Sequence, residues 1–338
     1  MIIVVHAAPL LTVQDLGRHG FRHLGVPRCG IMDAPALQKA NLLLQNDPGA
    51  AGLEISTGPV TLQSTAQHWI VLLGAEMSAQ IFAADNKTLI QEHVYPGFVT
   101  QLPAGSLLKL DGPAIPGHRG VLAIAGGIDV PAVLGSRSTD LNNGFGGYDG
   151  RALRAGDQLN VGPHEHANAG VNAGLNTGAK TGPVPRRIKG VRQTAPILQF
   201  RVIRGPDWDL FARPALTEFL SRRWRVDPLS NRMGVRLQGY PLDVPASATR
   251  LSAGVLPGQI QIPPDGQPII LANDAQTIGG YSCPASVIQA DLWQLAYLSA
   301  AMEITFTEVS IAEAQGLLAA QVNDLRQLQR SIQSLYAS

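Results

Sequence analysis

The chain has 338 residues, enough for two domains that each bury a core, which excludes a small scaffold held together by disulfides or metal. Lys plus Arg number 26 against 25 Asp plus Glu, a formal charge of +1, and charged residues make up 15%, so no global basic field exists to hold nucleic acid or an anionic membrane. Glycine (36) and proline (24) exceed their usual share without reaching the level of disorder, which predicts many turns and short strands.

The N-terminal MIIVVHAAPLLTVQD lacks the basic start of a secretory signal, and no apolar run approaches the roughly 20 residues of a membrane helix. Cys29 and Cys283 lie far apart and in no metal-ligand spacing, which fits a reducing cytosol, so a cytoplasmic protein is expected. Short apolar segments then read as strands: Ile2 to Val5, Gly58 to Leu62, Trp69 to Leu73, Phe98 to Leu102, Leu107 to Leu110 and Val121 to Ala125, separated by turns such as PAGS and DGP. One helix interrupts them, with Asp33 as N-cap, Pro35 just inside, and Leu37, Ala40 and Leu44 at helical spacing.

Residues 163–196 are poor in large apolar side chains and rich in Gly, Asn, Ala and Pro, which predicts a flexible linker between domains 1–162 and 197–310. It carries Lys180, Arg186, Arg187, Lys189 and Arg192 against Glu165. The second domain opens with a strand from Ile197 to Ile203, followed by a helix from Asp209 to Arg225 and a hairpin GQIQIPPDGQPIIL turning at PPDG. AGSLLKL (104–110), AGDQLNV (155–161) and AAMEITF (300–306) share a small-residue turn followed by apolar residues two apart, a hint of a duplicated β unit. In the tail, 311–338, Ser310 and Glu313 predict a capping box. Ile311, Leu318, Val322, Leu325, Leu328, Ile332 and Leu335 then predict an amphipathic helix that packs on its own domain or a second copy of the chain or other partner.

Several chemistries find no support. GLNTGAKT (174–181) would match a phosphate-binding P-loop if Ala179 were glycine, but it lies in the linker, without the strand before and helix after that such a loop needs. No G-x-S-x-G elbow exists. All eight histidines fall at or before His166, so an imidazole base is expected only from the first domain.

Four segments concentrate glycine with carboxylate, amide and guanidinium groups. They are residues 12–33 (Gln14, Asp15, Arg18, Asp33), 135–151 (Arg137, Ser138, Asp140, Arg151), 230–239 (Asn231, Arg232, Arg236) and 263–281 (Asp265, Asn273, Asp274, Gln276, Thr277, Tyr281). Guanidinium grips a carboxylate bidentately, amides read a carbonyl and N–H, and glycine admits a ligand to the backbone, so the combination suits a small planar acid or amide.

The same segments, TVQDLGRHGFRHLGVPRCGIMD, NLLLQNDPGAAGLEISTGP, GGIDVPAVLGSRSTDLNNGFGGYDGRALRAGDQL, SNRMGVRLQG and GVLPGQIQIPPDGQPIILANDAQTIGGY, resemble the biotin-dependent carboxyltransferase-like family, also called allophanate hydrolase subunit 2 or KipA. Gln45 departs from the pattern, standing where the family has glycine, and LAYLSAAME lacks the usual Pro-Gly-Asp turn. The resemblance implies a mainly β fold of two cyclophilin-like barrels plus the C-terminal helix. NDAQTIGGY is similar to the 5-oxoprolinase version of the family. That version implies ATP-dependent conversion of 5-oxo-L-proline to L-glutamate in a heteromeric complex with two partners, the KipI-like B component and the A component of 5-oxoprolinase. ATP and Mg²⁺ would serve the complex, with no biotin attached here. Alternatives are biotin-dependent carboxyl transfer to urea or a related amide, and a non-catalytic KipA-type regulator. On the oxoprolinase reading, Asp15, Asp33, Asp274, Gln276 and Tyr281 are candidate catalytic groups, the aspartates as base or Mg²⁺ ligands. Gln14, Arg18, Arg137, Ser138, Asn231, Arg232, Asn273, Thr277 and Gly280 are candidate substrate-binding groups. Asp274→Asn is then expected to cut turnover about a hundredfold without unfolding the protein.

Overall fold

The computed structural model describes residues 1–164, 197–245 and 251–336, so the expected linker beyond His164, with its basic run and the P-loop-like stretch, lies outside the described residues. Two units emerge. Unit 1 holds Met1–Gly17, the described part of Asp33–Arg192 and the chain from Gln327; unit 2 holds Arg18–Met32 and the described part of Gln193–Arg326. Two segments fall otherwise than the expected division: Arg18–Met32 groups with unit 2, carrying His19 and His23 with it, and the chain from Gln327 groups with unit 1. Imidazoles are accordingly not confined to unit 1.

Unit 1 is built on two antiparallel sheets. One runs, in spatial order, Ile128–Asp129, Gln158–Val161, Ile2–His6, Val60–Ser64, Leu107–Leu110, Ala79–Phe82 and Leu89–Gln91; the other Thr12–Gln14, Gly52–Ile55, Gly120–Ile124, His68–Gly74 and Thr100–Leu102. Alternating apolar residues from both sheets, among them Ile2, Val4, Leu53, Ile70, Leu72, Leu108, Leu122 and Leu159, enclose one core. Helix α1, Ala34–Leu43, starts as expected: Asp33 accepts from the Ala36 N–H at 2.9 Å and proline sits in the first turn. Its buried Leu37 and Ala40 face the His68–Gly74 and Gly120–Ile124 strands. Gln45, where a glycine was expected, follows this helix at φ 58°, the left-handed region that glycine enters without strain.

Unit 2 is a closed seven-stranded barrel, in order Ile197–Arg204, Ser282–Val287, Gln259–Ile262, Ile269–Leu271, Gly234–Gln238, Trp224–Val226 and Glu303–Glu308. Parallel pairing of Ile197–Val202 with Glu303–Glu308 closes the ring and leaves the barrel sheet no free edge. The predicted hairpin is present, with Ile260 opposite Ile270 and Gln261 opposite Ile269. The helix predicted over 209–225 is shorter: helix α2 spans Arg213–Ser221, preceded by a 3-10 turn at Trp208–Leu210. Trp224 ends it, because its fully buried ring packs beside Phe219 and its backbone is claimed by the barrel strand opposite Ile304.

The three repeat motifs share one device. Gly105, Gly156 and Ala301 all adopt positive φ (76°, 94° and 69°). Each donates its N–H to an earlier segment, to Ser64 O, Val4 O and Val226 O, and each following residue closes a turn onto Pro103 O, Arg154 O and Ser299 O. A strand begins within two residues in every case. Helix α3, Ile311–Tyr336, carries the predicted capping box, with Ser310 and Glu313 bonded reciprocally. Of its stripe, Ile332 is buried and Leu318, Leu325 and Leu328 are half-buried, whereas Ile311 and Val322 are exposed.

Two predictions test these devices. Ala301 holds a left-handed conformation that costs an alanine about 1 kcal/mol, so Ala301→Gly should raise the unfolding midpoint by about 2 °C; a fall would contradict it. Arg151 grips Asp157 at 2.7 and 2.9 Å, and this hydrogen bonding holds the Asp157 carboxyl below the ordinary aspartate range. A depressed folded value contributes stability that is present above the unfolded value and lost as pH falls through the folded one, so acid titration of stability should be shallower in Asp157→Asn than in the parent.

Candidate functional site

The four polar segments sort into two clusters, one per unit, and the first segment divides between them, Gln14, Asp15 and Asp33 in unit 1 and Arg18 in unit 2. In unit 1 the strand Thr12–Gln14 delivers Asp15, which is buried, to the loop 136–138. Its Oδ1 accepts from Gly17 N–H (2.8 Å), Ser136 Oγ (2.6 Å) and Ser138 Oγ (2.5 Å), and its Oδ2 from Arg137 N–H (2.5 Å). Ser138 Oγ in turn accepts from Asp15 N–H at 3.0 Å, and Thr139 bonds Val13 O through both N–H and hydroxyl. The Gln14 amide is fully buried and donates to Thr12 and Thr139, while its Oε1 has no donor. Asp140 ties its own turn by accepting from the Asn142 and Asn143 N–H groups.

Arg137 turns away from Asp15 and donates through Nε to Val130 O and through Nη2 to Asp129. It stands on the wall of an open cleft of about 440 Å³, with Asn46, Gly126, Gly127 and Asp129 among the other lining residues. Asn46 is fixed there by bonds to Ile124 O, Asn41 and Gly126 N–H.

In unit 2 the segment Arg18–Met32 is stitched to the loop 272–276. Arg232, buried, forms a two-pronged pair with buried Asp274, both bonds 2.8 Å, and reaches Gly30 O at 2.7 Å. The Asn273 amide donates to Ile31 O at 2.8 Å, and the Asn273 backbone carbonyl accepts from Cys29 N–H at 3.0 Å. Arg22 donates to Val255 O (2.6 Å), Gln276 O (2.7 Å) and Ala275 O (3.5 Å). Arg18 is fully buried, with its N–H on Arg28 O. Asn231 makes a turn by accepting from Met233 N–H at 2.8 Å. Gln276 and Tyr281 expose their side chains, with half-buried Thr277 and Gly280 between them.

Of the three aspartates expected to act as base or Mg²⁺ ligand, Asp15 clamps a loop, Asp33 caps α1 and Asp274 holds Arg232, so each carboxylate is hydrogen-bonded within its own unit. Arg232 likewise commits its fork to Asp274. Among the described residues no group of three or more His, Cys, Asp or Glu is placed to hold a metal ion, and no helix is long and apolar enough to cross a membrane. Sequence reasoning passed over Arg22, Arg28 and Gln261. The two arginines lie inside the first polar segment, and Gln261 was legible only as a glutamine in an otherwise apolar barrel strand.

A seven-stranded barrel and a two-sheet β unit, each with a glycine-rich polar loop cluster, define the class, and residues 24–308 match the family model described as carboxyltransferase domain, subdomain A and B. The chain belongs to that family. It is 40% identical over 314 residues to the C component of 5-oxoprolinase from Escherichia coli, covering 93% of each chain. The urea amidolyase of Saccharomyces cerevisiae is 30% identical over 90% of this chain, which spans 16% of that much longer protein. The crystal structure of the K. lactis urea amidolyase superimposes with a TM-score of 0.82 at 27% identity, over 97% of this chain and 20% of the other.

Removing one partner of a buried charge pair leaves the other uncompensated, so Asp274→Asn should cost about 3 kcal/mol of stability in denaturant unfolding, in addition to any effect on turnover. A loss below about 1 kcal/mol would show that the pair is not a brace.

Proposed function

We propose that this chain is the C component of an ATP-dependent 5-oxoprolinase, converting 5-oxo-L-proline to L-glutamate with ATP hydrolysis in a complex with the A component and a KipI-like B component. The observation that carries this reading is the 40% identity to the E. coli C component over 93% of each of the two chains. 5-Oxoproline joins a planar lactam to a carboxylate. Amide resonance makes the ring resistant to water, and transfer of a phosphoryl group to the lactam oxygen would turn it into an imidate-like centre that water can attack. On this chain Gln276, Thr277 and Tyr281 are the groups available to read the lactam, whereas Arg232, Asn273 and Asp274 position the loop that carries them.

ATP and Mg²⁺ belong to this reading at the level of the complex. Among the described residues the donor set does not fit a Mg²⁺ site, since Asp15, Asp33 and Asp274 are hydrogen-bonded apart from one another, and no step is assigned to a metal on this chain. A second reading, biotin-dependent carboxyl transfer to urea or a related amide, is favoured by the shared fold with the urea amidolyase structure.

Reconstitution decides between them. Combined with its A and B components, the chain should support ADP release that rises several-fold on adding 5-oxo-L-proline, with glutamate formed in step, and omitting the chain should abolish both. A folded complex that ignores 5-oxo-L-proline would move the weight to carboxyl transfer.

A further inference from the structure

We propose that the open cleft of unit 1 binds an α-amino acid with a polar side chain, held as its zwitterion, and that Gln45 reads that side chain. The cleft is lined by unit 1 residues alone and encloses about 440 Å³, a volume in the range of small-molecule sites. Part of its wall is fixed by bonds within the protein. Asn46 spends both ends of its amide on Asn41, Ile124 O and Gly126 N–H, and the carbonyl of Leu44 accepts from His164 Nε2 at 2.8 Å. Three charged side chains on the same wall keep polar atoms open. Arg137 is anchored from Nε to Val130 O (2.9 Å) and from Nη2 to Asp129 Oδ1 (3.1 Å), which leaves its Nη1 without an acceptor among the described residues. Asp129 Oδ2 receives no donor there, and neither does Asp47 Oδ2, since Asp47 holds Gly49 N–H through Oδ1 at 2.7 Å. A ligand can reach all three, because the side chains of Arg137 and Asp129 are 43% and 53% exposed and Asp47 is exposed as well.

Gln45 is an independent sign of a ligand. It follows α1 at φ 58°, a helix end at which glycine is at ease and any larger residue is strained. Its backbone N–H bonds Leu42 O at 3.1 Å, so the turn closes without help from the side chain. The Gln45 side-chain amide lines the cleft and makes no hydrogen bond among the described residues. A polar side chain kept where it costs strain, half-buried at a cleft and bonded to nothing else, fits a recognition role.

The charges set the class of ligand. With His164 left aside, one guanidinium stands against two carboxylates, and one of these already pairs with it. A simple anion would meet a net negative wall, and a simple cation would leave Arg137 Nη1 unused. A zwitterion answers both: its carboxylate accepts from Nη1, its ammonium donates to the open Oδ2 atoms, and Gln45 meets a carbonyl or carboxylate on its side chain. The site itself is argued from the cleft alone, whereas the choice of L-glutamate as a probe rests on the proposed oxoprolinase reading, in which it is the product.

Isothermal titration calorimetry of the full-length chain tests this with L-glutamate, L-glutamine and glutarate, the last being the glutamate skeleton without its ammonium. At least one of the two amino acids should bind, and glutarate should bind at least about tenfold more weakly. Tighter binding of L-glutamate identifies an anionic side chain as the preferred group, and tighter binding of L-glutamine an amide. Gln45→Gly should unfold no earlier than the parent without ligand, since it releases strain, and should weaken the amino acid about tenfold. Asp47→Asn, which keeps the Oδ1 acceptor for Gly49 and loses the charge, should weaken it to a similar degree. The proposal is overturned if neither amino acid binds, if glutarate binds as tightly, if Gln45→Gly binds like the parent, or if Gln45→Gly unfolds markedly earlier without ligand. Were it overturned while the reconstituted complex still responded to 5-oxo-L-proline, the oxoprolinase reading would stand and only this site would fall. Amino-acid binding by a chain whose complex ignores 5-oxo-L-proline would keep the site and remove that reading.

Discussion

The forked pair of Arg232 and Asp274 sets the architecture of unit 2 outside its barrel. Its two 2.8 Å bonds would contribute little on a surface, but both partners are buried and the Nη2 of Arg232 that holds Asp274 also donates to the carbonyl of Gly30. Removing Arg232 would strand the Asp274 charge and leave the Gly30 carbonyl only the longer 3.3 Å bond from the Asn273 amide. Asn273, next in sequence to Asp274, holds Ile31 O and Cys29 N–H, so two adjacent residues fasten a segment that lies more than two hundred positions earlier. The segment contributes no strand, so buried amides and charges supply the directional bonds that strand pairing gives elsewhere.

Unit 1 solves the same problem with a different acceptor. One carboxylate, Asp15, collects two hydroxyls and two backbone N–H groups, fixing the loop through Ser136 and Ser138 against the end of a short strand. Donors that would otherwise be buried unsatisfied converge on two oxygens able to accept them all. Asp15 and Asp274, the most conspicuous acidic residues of the polar segments, thus both brace loops.

Local backbone geometry governs the turns in the same way. Gly105, Gly156 and Ala301 occupy equivalent left-handed positions in three repeats, two in unit 1 and one in unit 2, each donating back to an earlier segment before the next strand begins. That correspondence extends the sequence repeat from a similarity of letters to one of hydrogen-bond geometry, with alanine tolerated where glycine would be at ease. Gln45 shows the same tolerance after α1.

Much of the β framework was legible because strand alternation, turn residues and caps are local signals. The Leu107–Leu110 strand, the Asp33 cap, the Ser310–Glu313 box and the 259–271 hairpin follow from residues within a few positions of one another. The overlong helix at 209–225 failed because Trp224 is claimed by a barrel strand across from Ile304, a partner eighty residues away. The polar segments were visible as clusters of residue types, and the family pattern named them, but their roles were not. Whether an aspartate is a free base or a brace depends on which donors the fold brings to it, and those donors come from loops far away in sequence. By itself, then, the sequence determined the class, the strands, the caps and the candidate residues. Only the tertiary structure decided that Arg18–Met32 belongs with the second unit and that Asp15 and Asp274 are engaged, because hydrogen-bond satisfaction is a property of assembled space and not of order along the chain.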